Sequence, residues 1–293
     1  PLPELDGDGS LAAEDLTRLD RGELARTLEP LVDQAREWVK KHEGVGGETV
    51  GRIENGLKML RDDPDVWLAF AFMNKAMDLQ FRWSQAVGGN AFRWRPFQLA
   101  FILMVIPDLV DTGSRYRRDT VDALQVPTGT GKTEAYLGLL LFLLAYRRLR
   151  ELRAHRRGDG VAAMLRYTLR LLTVQQFRRL LRAVQACEYL RVYGLRDRER
   201  VGWLPECGTG CSDDLSGRNG FVWGTTPFSA GLWVGHDITP NRFKGNMWER
   251  GAEDLLTQSN KYIEEGELPS PAQVLQCPAC GAPLSIPYGA VFG

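Results

Sequence analysis

From about residue 11 to residue 85, apolar side chains recur every three or four positions. Leu24, Leu28, Leu31, Ala35 and Val39 mark one such face, and Asp63-Pro64 supplies a cap and a first-turn proline for a helix over residues 66–83. This pattern predicts an all-helical N-terminal region spanning residues 1–87. Gly88-Gly89-Asn90 breaks the periodicity, and a further apolar helix is predicted over 99–110. A β-rich stretch follows at 121–126, then a glycine-containing loop, then an apolar helix at 134–150. Beyond a basic loop at 155–160, a second strand is predicted over 161–168 and a strongly basic amphipathic helix over about 173–193. Strand, helix, strand, helix is the order of a parallel α/β unit, so residues 88–200 are expected to form an α/β core. Residues 201–293 are rich in glycine, proline and aromatics and show only short periodic runs. They predict an irregular insert that needs an external staple.

The loop between the first predicted strand and its helix reads Val126-Pro127-Thr128-Gly129-Thr130-Gly131-Lys132-Thr133. Gly129 and Gly131 allow the backbone to curl so that its N–H groups point inward and surround phosphate oxygens. Lys132 supplies positive charge for the β- and γ-phosphates, and the Thr133 hydroxyl suits Mg²⁺. A helix beginning at Glu134 would aim its unsatisfied N–H groups and its dipole at the same anion. Residues 127–134 therefore predict an ATP–Mg²⁺ site, with Lys132 and Thr133 the catalytic pair. One departure is visible: the strict phosphate-loop pattern opens on glycine, and Val126 stands there.

Composition narrows the setting. A chain of 293 residues with 44% hydrophobic and 25% charged side chains has the makeup of a globular protein with a substantial core. Formal net charge is zero, but its distribution is uneven. Residues 1–65 carry 16 acidic against 9 basic side chains, whereas residues 146–200 carry 15 arginines against 5 acidic ones. Such segregation predicts one surface suited to phosphates. The acidic N-terminus lacks the apolar segment of a signal peptide, and the longest apolar run, residues 137–145, is far short of the roughly 20 residues a bilayer requires. Five cysteines, two in a Cys-x-x-Cys spacing, fit a reducing compartment, so a cytoplasmic protein without membrane contact is expected.

Three further constellations carry chemistry. Gln98 lies on the helix ahead of the loop strand, where its amide could present a donor and an acceptor to the edge of adenine; the alternative is a solvent-facing amide. Arg166-Tyr167-Thr168-Leu169-Arg170-Leu171-Leu172-Thr173-Val174-Gln175-Gln176 sits at a strand-to-helix junction, where hydroxyl, guanidinium and amide groups suit a nucleic-acid backbone. Thr168, Arg170 and Gln175 are the predicted contacts, while Arg178, Arg179 and Arg182 read equally well as a solvated helix face. Cys207 and Cys211 with Cys277-Pro278-Ala279-Cys280-Gly281 provide four thiolates for a tetrahedral structural Zn²⁺, the second pair in a zinc-knuckle turn. Cys187 reads as a core residue. Trp203, Trp223, Trp233 and Trp248 could stack on bases, with packing the favoured role. No Asp-Glu pair follows a predicted strand, so the chain shows a nucleotide cradle without the carboxylates that hydrolysis requires.

Residues 92–98, 126–133 and 166–176 together resemble the first part of a superfamily 2 helicase. The Arg-Tyr-Thr-Leu-Arg-Leu-Leu-Thr-x-Gln-Gln string, the Gly231-Leu232-Trp233-Val234-Gly235 string and Thr239-Pro240-Asn241 narrow the resemblance to the DrmA family, the helicase-like component of bacterial DISARM anti-phage systems. That resemblance covers about residues 60–293. It implies an incomplete RecA-like first helicase domain at 88–200, with an insert at 201–293 between motif Ia and motif II. It further implies ATP-dependent action on single-stranded or partly unwound DNA and a DrmB-type protein partner. The acidic motif and the remaining helicase domains would lie downstream or in another chain. Two alternatives stay open: a nucleotide-gated DNA-binding or assembly subunit without motor activity, and an RNA helicase.

Overall fold

The structure is a computed structural model that describes residues 9–41, 46–85, 90–167, 170–193, 200–206, 220–233, 242–247, 249, 251–254, 274 and 276–284. For residues 170–174 and 200 it describes the backbone alone. The chain opens on β1 (Leu11–Ala12) and α1 (Ala13–Leu16), followed by α2 (Arg21–Lys41), α3 (Gly47–Asp62) and α4 (Pro64–Arg82). β2 (Arg93–Trp94), α5 (Pro96–Val110) and the short α6 (Arg115–Asp119) lead to the phosphate loop. α7 (Lys132–Arg153) and α8 (Arg170–Val192) follow it, and then β3 (Arg200–Val201) and β4 (Gly220–Phe221).

Among the described residues of the N-terminal region, α1 to α4 follow the predicted helical periodicity, but the expected all-helical region contains a strand, β1, at Leu11–Ala12. Asp63 caps α4, its side chain accepting from the Asp65 and Val66 N–H groups at 2.8 and 3.3 Å, and Pro64 occupies the first turn where no N–H is needed. α4 is buried on nearly every face: Trp67, Phe70 and Phe72 are all fully inside. Each such side chain contributes on the order of 1.5–3 kcal/mol by leaving water. Buried polar atoms on this helix are satisfied, since Trp94 Nε1 donates to Asn74 Oδ1 at 2.7 Å and Asn74 Nδ2 donates to the Phe70 carbonyl at 2.8 Å. α3 lies between α2 and α5, and α4 packs against α7 and α8. Arg153 at the end of α7 holds Asp65 at the start of α4 through contacts of 2.6 and 2.8 Å.

One hydrophobic cluster runs from Leu11 to Phe228 and takes in the N-terminal helices, α5, α7, α8 and the two tryptophans Trp203 and Trp223. The antiparallel β1–β2 pair, with Leu11 opposite Trp94 and Ala12 opposite Arg93, crosses the boundary expected at residue 87. Trp203 and Trp223 therefore pack rather than stack on bases, while Trp233 is 92% exposed and Trp248 lies outside the described residues.

The α/β expectation for residues 88–200 differs most from the structure. Residues 121–126 and 161–167 belong to no ladder; the pairings among the described residues are the two-residue β1–β2 and β3–β4 pairs and an isolated Gln276–Pro283 bridge. The described protein is mostly helical. The physical reason is that a strand has no internal hydrogen bonds; its backbone groups are satisfied by neighbours on either side. Exposure along 121–126 alternates residue by residue, as one side of a strand would, yet Val121 and Val161 are 93% and 83% exposed. Between α7, α8 and the segments 158–167 and 226–233 lies a cleft of about 1060 Å³ with Leu140, Leu144, Phe177 and Leu180 in its walls. No helix among the described residues is long and apolar enough to cross a membrane.

Candidate functional site

The phosphate loop keeps the shape its glycines allow. Gly129 and Gly131 have φ of 82° and 93°, a region that L side chains rarely enter. Gly131 is the N-cap of α7, and Lys132 is the first helical residue. Thr130 Oγ1 donates to the Pro127 carbonyl at 2.7 Å, closing the turn. The Lys132 ammonium reaches back over the loop to the carbonyls of Val126 and Pro127, at 2.5 and 3.1 Å. Pro127, Thr128 and Gly129 are exposed, and Thr130 to Glu134 are half-buried. The helix therefore aims its N-terminal N–H groups into a solvent-accessible loop that carries one flexible cation, an arrangement that suits a polyphosphate.

Gln98 stands at the back of this loop and is 2% exposed. Its Nε2 donates to the Gly131 carbonyl at 2.8 Å, and its Oε1 accepts the Arg95 N–H at 2.8 Å. The amide is thus a strut between the first turn of α5 and the N-cap of α7. Its position excludes the solvent-facing alternative, with Nε2 directed at the loop and Oε1 at the N-cap of its own helix. A Cβ at position 131 would come within 2.6 Å of Gln98 Nε2, so this contact also requires glycine there. Glu134, in the first turn of α7, is ion-paired with Arg179 on α8.

Two residues at the loop were not singled out by the sequence. Arg95 Nη1 donates to the Thr130 carbonyl at 2.8 Å, bracing the loop beside Gln98. Arg179, read as equally a solvated face, ties α8 to the first turn of α7. Its signal was its place one helical turn beyond Gln175, on the same face of a helix starting behind the second predicted strand.

The remaining predicted contacts are placed in part. Gln175 is exposed on α8, and Arg170 begins that helix, though its side chain is not described; Thr168 lies outside the described residues. Cys277 and Cys280 lie in a tight turn closed by Gly281 N–H to the Cys277 carbonyl (2.9 Å) and Cys277 N–H to the Ala282 carbonyl (2.8 Å). Gly281 takes the positive φ of 72°. The turn docks on α8, where Arg182 Nε donates to the Pro278 carbonyl at 2.9 Å and Gln185 Nε2 reaches Cys277 Sγ at 3.4 Å. Donation from the Cys280 N–H, from Gln185 and from the Ala279 N–H lowers the Cys277 thiol to about 7, which favours the thiolate that a metal would need. Cys207 and Cys211 lie outside the described residues, and no group of three or more metal-ligating side chains occurs among the described ones. Cys187 is fully buried, its thiol pushed up by desolvation, in keeping with a core role.

No family model matches the chain. Over 254 residues, 80% of its length, the chain is 37% identical to the DISARM protein DrmA of Bacillus paralicheniformis. The match covers 19% of that relative, so the chain spans about a fifth of the curated protein it resembles. Along the aligned stretch, which takes in most of its sequence, the chain is a DrmA-like protein.

Proposed function

We propose that the chain binds ATP–Mg²⁺ and forms the ATP-binding part of the first motor domain of a helicase-type component of anti-phage defence. The observation that carries this reading is the phosphate loop: two positive-φ glycines at the head of an apolar helix, with Lys132 at its first position. Lys132 would meet the β- and γ-phosphates by exchanging the Val126 and Pro127 carbonyls for phosphate oxygens, and Thr133 would hold Mg²⁺. Bound Mg²⁺ would neutralise developing phosphate charge. Thr168, Arg170 and Gln175 form the proposed DNA contact, in a stretch dense in arginine. The similarity to a DISARM protein supports the defence role; a DrmB-type partner, further helicase domains downstream or in another chain, and work in the cytoplasm are proposed with it. The test measures ATP hydrolysis by the full-length protein with single-stranded DNA, with single-stranded RNA and with neither. DNA-stimulated turnover is expected; equal stimulation by RNA would favour an RNA helicase.

A second reading has its own observation. Glu134, the carboxylate next to Thr133 in sequence, is engaged by Arg179, which favours a loop that would hold nucleotide without this acid free to position water. A nucleotide-gated assembly subunit would bind ATP in the same assay and show no DNA-stimulated turnover.

Cys277 and Cys280 are proposed to share a structural Zn²⁺ with Cys207 and Cys211. Metal analysis is expected to return about one zinc per chain. After chelation, alkylation of Cys277 should be half-maximal at a pH of about 7, the value to which its thiol is lowered. Metal-free protein as isolated would refute the site.

A further inference from the structure

Four residues ahead of the phosphate loop, the lead-in segment is tied to the N-terminal helices by a buried guanidinium. Arg52, on α3, is 9% exposed. Its Nη1 and Nη2 donate to the two oxygens of Asp122 at 2.6 and 2.7 Å, and Nη2 also donates to Asp108 Oδ2, on α5, at 2.6 Å. The other Asp108 oxygen accepts from Ser114 Oγ at 2.7 Å. The Tyr116 ring covers the guanidinium, with Arg52 Cζ 4.6 Å from its centroid, and the Tyr116 hydroxyl is held by Glu48, at the start of α3. A fork-to-carboxylate geometry of this kind fixes direction as well as distance.

The contrast with the rest of the segment is informative. Residues 121–126 belong to no ladder, and alternate positions are exposed, Val121 almost completely. Asp122 is the point where this otherwise unladdered stretch is gripped, and its side chain is 23% exposed against 8% for Asp108. Asp108 and Arg52 would hold α3 to α5 without it. The Asp122 contact adds nothing to the helical core, but it sets where the chain enters the loop. Behind the loop, Gln98 and Arg95 fix its other end from the first turn of α5.

We infer that Arg52 is a positioning residue for the phosphate loop, gripping its lead-in through Asp122 so that the helical N-terminal region sets nucleotide affinity. This rests on the nucleotide reading of the loop. The N-terminal helices are then part of the nucleotide response, since any movement of α3 relative to α5 shifts Asp122 and, through four residues, Val126 and Pro127.

The test compares Asp122→Ala and Arg52→Lys with the parent in the full-length protein. Lysine keeps the charge but cannot present a fork to both carboxylates. Asp122→Ala leaves the Arg52–Asp108 pair intact and is expected to keep the parent's thermal midpoint. In nucleotide-free protein, thermolysin, which cuts ahead of apolar residues such as Val121 and Leu124, is expected to cleave within residues 120–126 about tenfold faster in both variants, because local opening of an ungripped lead-in limits nicking. Affinity for a fluorescent ADP analogue is expected to fall about tenfold, and Asp122→Glu is expected to recover part of it. Parent-like proteolysis in both variants would overturn the inference, as would faster proteolysis with unchanged affinity. Should the parent bind no nucleotide, the nucleotide reading of the loop fails on its own. The proteolysis arm then still decides whether Arg52 holds the lead-in.

Discussion

Lys132→Ala is expected to lower ATP hydrolysis by the full-length protein by a factor of about 100 or more while leaving its fold and its nucleotide-free DNA affinity unchanged. Lys132 occupies the first helical position of α7, half-buried, with its ammonium over the Val126 and Pro127 carbonyls. Alanine is at least as good a helix former there, and the lost contacts are to carbonyls that water can reach. On the proposed function, what disappears is the cation that would offset charge on the transferring phosphoryl group, where a fixed donor counts most. Steady-state turnover, thermal midpoint and a filter-binding titration with single-stranded DNA check the three parts. Unchanged turnover would remove the phosphate loop from the mechanism.

The largest stability effect is expected at Gly56, in the middle of α3. An added Cβ there would lie 2.0 Å from the Leu103 carbonyl oxygen and 2.8 Å from its carbon, both backbone atoms of α5. No rotamer relieves such a contact, so the helices must separate. Gly56→Ala is therefore expected to cost about 3 kcal/mol, the upper end of overpacking, despite alanine's better helix propensity. Urea unfolding of this variant beside Gly51→Ala separates packing from propensity. Position 51 lies on the same helix with open space around it, and its variant is expected to match or exceed parental stability.

The local features of the site were legible in the sequence. Glycines at 129 and 131 dictate a loop that only positive φ permits, and the apolar run behind Lys132 dictates a helix, so the head of α7 falls where the pattern places it. Asp63-Pro64 writes its own cap. These features depend on residues within a turn or two of one another, which is the range over which periodicity and capping act. What Gln98 touches was less legible. Its position behind the loop follows from the sequence, but its two bonds, to Arg95 and to Gly131 33 residues away, depend on how α5 meets α7.

The strands fail for a related reason. Residues 121–126 and 161–167 were expected to be strands, but a ladder is a property of two segments, and neither pairs among the described residues. Counting charges along the sequence does not show which of them are paired in the fold. Arg179 and Arg52 are both committed to carboxylates, on partners 45 and 70 residues away. Sequence alone thus determined the helices, the phosphate loop and the head of the helix behind it, because each is closed by neighbouring residues. Tertiary structure alone decided which side chains grip that loop, because Gln98, Arg95, Arg179 and the Arg52–Asp122 pair meet it only after α3, α5, α7 and α8 have packed around one core.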